Sequence, residues 1–374
     1  NIPQLMITGG NGLVGSTIEC DLRIGSEFDL RNPKICNDLF LEASPVNVIH
    51  CAGKVGGLGG NMNKKGEFFY DNIMINTNVI ESCRKYGVKK LVSFLSTCVF
   101  PSDVEYPLTE KKIHLGEPHN SNYPYAYAKR MADIQLKAYR EQYGLNYVSV
   151  IPTNIYGPKD NFNLENGHVI PSLIHKCYLA KKNGDDFKVW GSGKPLREFI
   201  FSKDVGRLTQ WVLENYEEEE PIIFSNSEEV SIKKVVELIV KHMEFRGNVV
   251  WQSDKPDGQF RKPSDNSKLL SDTMTISVKC KTENQKSLVN SIKEKEVTIC
   301  SGPAGTGKTF LACAEALKLI KRHAKYKKIV IVKSVTTLKN EEIGFLKGNL
   351  REKMEPFMFS FVHNFEKLVG QAIT

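Results

Sequence analysis

The chain has no long apolar run, no CxxC spacing among its cysteines and no low-complexity stretch, and each absence removes a class of function. A helix needs about twenty consecutive apolar residues to span a bilayer, so a membrane-spanning protein is not expected. Nine cysteines without a CxxC pair suggest neither a disulfide framework nor a zinc site, and a reducing, cytoplasmic setting suits them. No charged leader or apolar signal core precedes the first apolar stretch, Gln4–Ile7. What is present is ordinary for a globular protein: 41% hydrophobic and 25% charged residues over 374 positions, long enough for two or three cores.

The net charge of +8 is unevenly placed. Residues 272–374 carry 18 Lys and Arg against 10 Asp and Glu, and residues 1–271 hold 33 of each. This break predicts two units, 1–271 and 272–374. The basic second unit has the charge to touch nucleic acid, although a solvated lysine-rich surface accounts for the charge equally well.

Gln4–Ile7 reads as a buried strand running into Thr8-Gly9-Gly10-Asn11-Gly12-Leu13-Val14-Gly15. The spacing of Gly9, Gly12 and Gly15 lets the chain turn tightly and present amides to a pyrophosphate at a helix N-terminus. A helix of several turns normally follows. Here Leu22–Ile24 already looks like the second strand, leaving only about Leu13–Cys20 for it. Further strands are predicted at Val46–Cys51, Lys90–Leu95 and Tyr147–Ile151, with a helix at Asn72–Tyr86. The alternation predicts an α/β fold, a Rossmann-like doubly wound parallel sheet over about 1–155, with a smaller substrate lobe mainly over 156–271. Chemistry in such sheets sits at the carboxyl ends of strands.

Ser96-Thr97-Cys98 stands at one such end, and Tyr125 and Lys129 follow four residues apart, on one face of a helix. The ammonium is expected to lower the phenol's pKa from about 10. A phenol so tuned hands a proton to a carbonyl. Taken singly, Cys98 reads as a small buried hydrophobe and His168, before an apolar run, as a helix-start residue. Taken together at these spacings they favour function.

The glycine loop, STCVFP, the YxxxK helix, PTNIYGPKDNF, GHVIP, VWGSGKPLREF and KPDGQFRK occur in that order. Over Gln4 to about Leu270 the chain thereby resembles the GDP-L-fucose synthases, which are extended short-chain dehydrogenase/reductases. The resemblance implies inversion at the two carbons flanking the ketone of GDP-4-keto-6-deoxy-mannose, then reduction by NADPH. It implies a homodimer as well. Cys98 and His168 match the family's base and acid, and Ser96, Tyr125 and Lys129 its ketone-binding and reducing groups. A thiol serves as base only where its pKa is lowered. The coenzyme NADP(H) would lie along Gly9, Gly12, Gly15, Asp29, Leu30, Ala52, Thr97, Lys129, Pro152, Asn154 and Ile155. Lys176, Trp190, Arg197, Asp257 and Lys262 match positions contacting the GDP-sugar. A preference for NADP would rest on a basic residue near the adenosine phosphate; Arg23 is nearby in sequence, but Gly25 and Ser26 occupy the end of the second strand, and no residue is assigned to that contact. Related dehydratases carry an Asp-Glu pair after the Ser/Thr; Cys98-Val99 stands here instead, so no carboxylic acid is placed to expel water.

In the second unit a helix is predicted at Lys281–Glu294 and a strand at Val297–Cys300. The strand enters Gly302-Pro303-Ala304-Gly305-Thr306-Gly307-Lys308-Thr309, a full GxxxxGKT phosphate loop before a helix at Phe310–Lys321. Its amides cradle phosphates, Lys308 neutralises their charge and Thr309 ligates Mg²⁺ when ATP is bound. With Ile329–Lys333 and GFLKGNLREKMEPF the segment resembles the start of a PhoH-like ATPase. No apolar run ending in Asp or Glu follows Val332, so nucleotide binding without ATP turnover is expected. Two rival readings stand beside the reductase: a weak nucleotide-sugar binder, and an ATP- or RNA-associated C-terminal module with a passive N-terminal unit.

Overall fold

A computed structural model describes residues 2–57, 63–164, 166–255, 257, 259–273, 280–303, 305–322, 329–331, 361 and 363–365. The chain divides into two compact units, Asn1–Leu269 and Leu270–Thr374. The first unit begins β1 (Leu5–Thr8), β2 (Leu22–Ile24), α1 (Pro33–Ala43), β3 (Asn47–His50), α2 (Lys65–Lys85), β4 (Lys90–Phe94), α3 (Tyr123–Tyr143) and β5 (Asn146–Pro152). It continues β6 (Asn154–Tyr156), α4 (Val169–Asn183), β7 (Phe187–Trp190), β8 (Leu196–Phe201), α5 (Ser202–Asn215) and β9 (Ile222–Phe224). Next come β10 (Glu229–Ser231), α6 (Ile232–His242) and β11 (Val249–Gln252).

Six strands make one sheet in the order β2-β1-β3-β4-β5-β9, every pair parallel. Successive side chains of a strand point to opposite faces, and both faces here are covered. Met6, Val48, Leu91 and Tyr147 pack on Phe40 of α1, Val79 and Ile80 of α2 and Leu136 of α3. Their neighbours Ile7, Ile49, Val92 and Val148 pack with Val205 and Val212 of α5. Burial on two sides is why these strands read as near-continuous apolar runs. From β1 the chain winds outward to β2 and then back past it to β3, so a crevice opens at the carboxyl ends of β1 and β3.

β2 stands where the sequence places it, with Met6 paired to Leu22, and a single 3-10 turn, Gly15–Thr17, is all the helix that precedes it. α2 starts earlier than the expected Asn72. Along Lys65–Asp71 only Phe68 and Asp71 are buried, so no apolar stripe marks those turns. Pro33 opens α1 behind Asn32, whose side chain accepts from the Lys34 amide at 2.9 Å.

The substrate lobe is a three-stranded sheet, β10-β8-β6, and the parallel pair β11-β7. Leu173 and Cys177 of α4, Phe187 and Val189 of β7 and Val236 and Ile239 of α6 form its core. The lobe is not continuous in sequence, because α5 and β9 return the chain to the large sheet beside β5. Glu198, on β8 and 2% exposed, ties these parts together. It accepts from the Ser225 hydroxyl at 2.9 Å, the Ser264 amide at 2.9 Å and the Ser264 hydroxyl at 2.5 Å.

In the second unit helices run over Glu283–Glu294 and Lys308–Arg322. Thr282 caps the first, accepting from the Gln285 amide at 3.3 Å. The strand expected at Val297–Cys300 is not formed: these residues are irregular, with Val297 78% and Ile299 93% exposed. A short apolar run becomes a strand only by pairing, and no strand pairs with it among the described residues. Residues 329–331 are irregular too, whereas 332–333 and the GFLKGNLREKMEPF segment lie outside the described residues. Gly302, Gly305 and Gly307 have φ of +152°, +76° and +82°, turns that other residues resist. The Lys308 ammonium donates to the carbonyls of Gly302 at 2.8 Å and Pro303 at 2.5 Å, and Thr309 is exposed at the helix start. Among the described residues no helix is long and apolar enough to cross a membrane.

Replacing Glu198 with alanine strands three buried donors at once. Glu198→Ala is expected to lower stability by about 3 kcal/mol or more. The check is a fall in the urea midpoint at unchanged m, with faster amide exchange around Ser225 and Ser264.

Candidate active site

Gly9, with φ of +68°, turns the chain off β1 so tightly that a side chain there would sit 2.7 Å from the Ala52 amide after β3. Gly15 lies equally close, its absent Cβ 2.5 Å from the Gly9 carbonyl. Arg23 of β2 closes this turn from behind. Its guanidinium donates to the carbonyls of Gly10 at 3.0 Å and Gly15 at 2.5 Å, and to that of Ile18. Arg23 is therefore committed to the turn's own backbone and is not presented to an adenosine phosphate. Asp29 beyond β2 pairs with Arg31 at 2.8 Å, and Arg31 reaches Asp71 at 3.1 Å.

Behind the crevice, His50 shares a hydrogen bond with the Thr8 hydroxyl at 2.6 Å and another with the Asn76 side chain at 3.0 Å. Burial holds His50 down to about 3, so the ring is neutral and fastens the ends of β1 and β3 together. Asn72 of α2 does similar work for the loop after β3: its side chain accepts from the Lys54 amide at 3.1 Å and donates to the Lys54 and Phe68 carbonyls. Sequence reading passes over both. A His closing an apolar strand was the one signal for the first, and Asn72 carries none.

Tyr125 and Lys129 share one face of α3. The Lys129 ammonium is buried and donates to the Phe94 carbonyl at the end of β4 at 2.9 Å, standing 5.8 Å from the Tyr125 ring centre. Burial lowers Lys129 to about 8. The expected acidification of Tyr125 is not what this arrangement produces. Burial first, and then the negative charge that Cys98 can carry, push the phenol above its ordinary range. The lysine is turned to a backbone oxygen, and desolvation of the phenolate outweighs it. Tyr125 is thus held protonated, the form that gives a proton away.

Ser96 caps the turn Thr97–Val99, its hydroxyl 3.5 Å from the Cys98 amide. Burial raises the Cys98 thiol, against the pull of Ser96, Lys262 and Lys129, so the lowered thiol expected for a base is also corrected. His168 stands half-exposed at the cap of α4, its Nδ1 3.5 Å from an oxygen of Asp160.

At the other end, the Lys176 ammonium lies 4.6 Å from the centre of the Trp190 ring, a cation–π contact with a ring that is 49% exposed rather than packed in the core. Burial lowers both Lys176 and Arg197, and Lys262 likewise. The Asp257 carboxylate accepts from the Ser192 amide and hydroxyl, each at 2.7 Å, and so orders the Gly191–Gly193 turn.

Ser96, Cys98, Tyr125, Lys129 and His168 line one cavity of about 1230 Å³. Gly9, Gly12, Gly15, Asp29, Leu30, Ala52, Thr97, Pro152, Asn154 and Ile155 line its crevice end, and Lys176, Trp190, Arg197, Asp257 and Lys262 its lobe end. Arg31, Lys54, Lys129, Lys176, Arg197 and Lys262 face it against Asp29, Asp71 and Asp257, a balance suited to phosphorylated ligands. The phosphate-loop residues Gly302, Gly305, Gly307, Lys308 and Thr309 belong to the second unit. The cradle, with no room for a Cβ at Gly9 or Gly15, and a buried lysine beneath the crevice fit a dinucleotide. Gly15→Ala is expected to weaken NADPH binding by about tenfold or more, since the methyl meets backbone rather than a movable side chain. Gly12→Ala, whose Cβ would lie 3.4 Å from the Gly9 carbonyl, is expected to be mild. Quenching of NADPH fluorescence measures both.

Residues 19–225 match the NAD dependent epimerase/dehydratase family, and residues 277–374 match the PhoH-like protein family. The GDP-L-fucose synthase of Dictyostelium discoideum is 48% identical over 281 residues, covering 71% of this chain and 88% of that protein. A probable GDP-L-fucose synthase of Drosophila melanogaster is 43% identical, over 72% of this chain and 90% of its own length. The crystal structure of a GDP-L-fucose synthetase from Naegleria fowleri bound to NADP superposes with a TM-score of 0.67 at 47% identity, covering 71% of this chain and 85% of that one. Sequence, fold and cavity agree, and the chain belongs to the GDP-L-fucose synthases within the NAD dependent epimerase/dehydratase family.

Proposed function

We propose that the first unit converts GDP-4-keto-6-deoxy-mannose to GDP-L-fucose, inverting the two carbons that flank the ketone and then reducing it. The observation that carries this reading is one cavity holding a thiol, an imidazole and a buried phenol–amine pair together. A hydrogen beside a ketone is acidic only while the enolate oxygen is stabilised, and the Ser96 hydroxyl and Tyr125 phenol are the donors for that oxygen. Inversion takes a proton from one face and returns one to the other. Cys98 is the base and His168 the acid. Cys98 must lose its proton against burial, and the charges of Lys262 and Lys129 favour that loss. NADPH, when bound, supplies the hydride that reduces the ketone carbon. Tyr125, kept protonated by burial, then gives its proton to the ketone oxygen, and the charged Lys129 stabilises what remains.

The crevice along Gly9, Gly12 and Gly15 would hold the coenzyme pyrophosphate, and Lys176, Arg197 and Lys262 the GDP. A homodimer through the outer faces of α2 and α3 suits the exposed Phe69, Met131 and Ile134. Residues 272–374 form a separate unit in this reading, with phosphate binding through Lys308 as its contribution.

Tyr125→Phe is expected to abolish NADPH oxidation with GDP-4-keto-6-deoxy-mannose while leaving NADPH binding intact, a loss of about 10²-fold or more. Cys98→Ser is expected to impair exchange of the flanking hydrogens with solvent deuterium more than reduction. Undiminished turnover by Tyr125→Phe would remove the phenol from the mechanism. Since Lys129 titrates at about 8, its charge is complete below that pH and lost above it. The reduction rate should therefore fall as pH is raised through about 8, and a Lys129→Met variant, with a much lower rate, should show no such fall.

A further inference from the structure

Asp160 has no part in the chemistry above. It lies after β6, with its side chain 4% exposed and Oδ1 3.5 Å from Nδ1 of His168. Asp160 Oδ2 and His168 Nδ1 are both buried, and neither makes a hydrogen bond. A carboxylate oxygen and a ring nitrogen left in that state are costly, and each is the kind of partner the other lacks.

The loop between them is built to keep that spacing. The Asn161 amide donates to Asp160 Oδ1 at 2.7 Å, which fixes the carboxylate. The Asn163 amide donates to the Asn161 side chain at 3.0 Å, and the Asn166 amide to the Asn163 side chain at 2.9 Å. The Gly167 amide then reaches the Asn163 carbonyl at 2.9 Å, and a Cβ on Gly167 would sit 2.4 Å from the Asn161 carbonyl. The chain therefore closes on itself before it delivers His168 to the cap of α4.

We propose that Asp160 is the positioning residue for His168, accepting its Nδ1–H and leaving Nε2, across the ring, for the substrate. The proposal rests on His168 acting as the proton donor in the inversion. In that step the Nε2–H bond of the imidazolium breaks as a C–H bond forms at the enolate carbon, and the enolate electron pair becomes the new bond. The ring is left neutral, its remaining proton on Nδ1 facing Asp160. Without the carboxylate the neutral ring can place its proton on either nitrogen, and in the Nε2–H tautomer the lone pair lies on Nδ1, on the side away from the substrate.

The test uses the full chain, with two readouts. Nitrogen-15 NMR of labelled histidine is expected to show His168 as the Nδ1–H tautomer in the wild-type protein and as a mixture in Asp160→Asn. Deuterium incorporation beside the ketone, with NADP⁺ in place of NADPH, is expected to fall about tenfold or more in Asp160→Asn, within the roughly 10²–10⁴-fold that a positioned acid contributes. Asp160→Glu is expected to recover part of it, and NADPH affinity to stay the same in both variants. An unchanged His168 tautomer in Asp160→Asn overturns the proposal, as does a parallel loss of NADPH affinity, which marks a structural role only. The expected tautomers without any exchange in the wild-type protein keep the pairing and refute the proposed reaction instead.

Discussion

A buried ammonium held by one backbone oxygen sets the geometry of the catalytic end. Taking a charged amine out of water costs several kcal/mol, and Lys129 offsets part of that through the Phe94 carbonyl at the end of β4. That contact, with the Ser149 hydroxyl of β5 donating to Asp133 at 2.8 Å and Arg130 donating to the Val99 carbonyl at 2.7 Å, holds α3 against the sheet. Tyr125, one turn back on the same face, is then carried over the crevice, and Ser96 and Cys98 follow β4 to the same level. The neutral His50 bridge between β1 and β3 fixes the opposite wall. The crevice stays open because strand order reverses there, and it keeps its shape because two polar contacts tie its rims.

Burial at this end acts on Lys129, Tyr125 and Cys98 alike in the direction of neutrality. The amine comes down, the phenol and thiol go up. For a phenol that must donate a proton this is the useful state. For a thiolate that must accept one it is the wrong state, so the base depends on the groups around it, first the Ser96 hydroxyl and then the charges of Lys262 and Lys129. The two halves of the proposed reaction thus make opposite demands on one desolvated space.

The fold was legible where burial on both sheet faces left apolar runs, as in Lys90–Phe94 and Asn146–Pro152. It was less legible at the start of α2, where polar turns carry no stripe, and at Val297–Cys300, where an apolar run lacks a partner strand. Of the cavity, the residues in short motifs could be picked out because their spacing itself encodes the geometry: Gly9 with Gly15, Tyr125 with Lys129. The sign of the shift on Tyr125 could not, since spacing shows a nearby lysine and hides what that lysine is already bonded to. Asp160 and Asn72 were hidden for a related reason. Asn72 meets Lys54 from the loop after β3, Asp160 faces His168 only once the loop between them closes, and asparagine or aspartate in a polar stretch looks the same whether solvated or buried.

The brace formed by Arg23 carries a consequence for how ligands enter. A long helix behind a glycine turn would add the aligned dipoles of its peptides to the phosphate seat, but a single 3-10 turn has almost none to add, and the guanidinium in its place faces away, toward carbonyls. That seat therefore grips at contact range and exerts little pull from afar. At the crevice end Arg31 and Lys54 are paired with Asp29, Glu67 and Asp71, whereas Lys176, Arg197 and Lys262 stand at the lobe end, so an approaching diphosphate would be drawn first toward the lobe and a dinucleotide would find its place by fit.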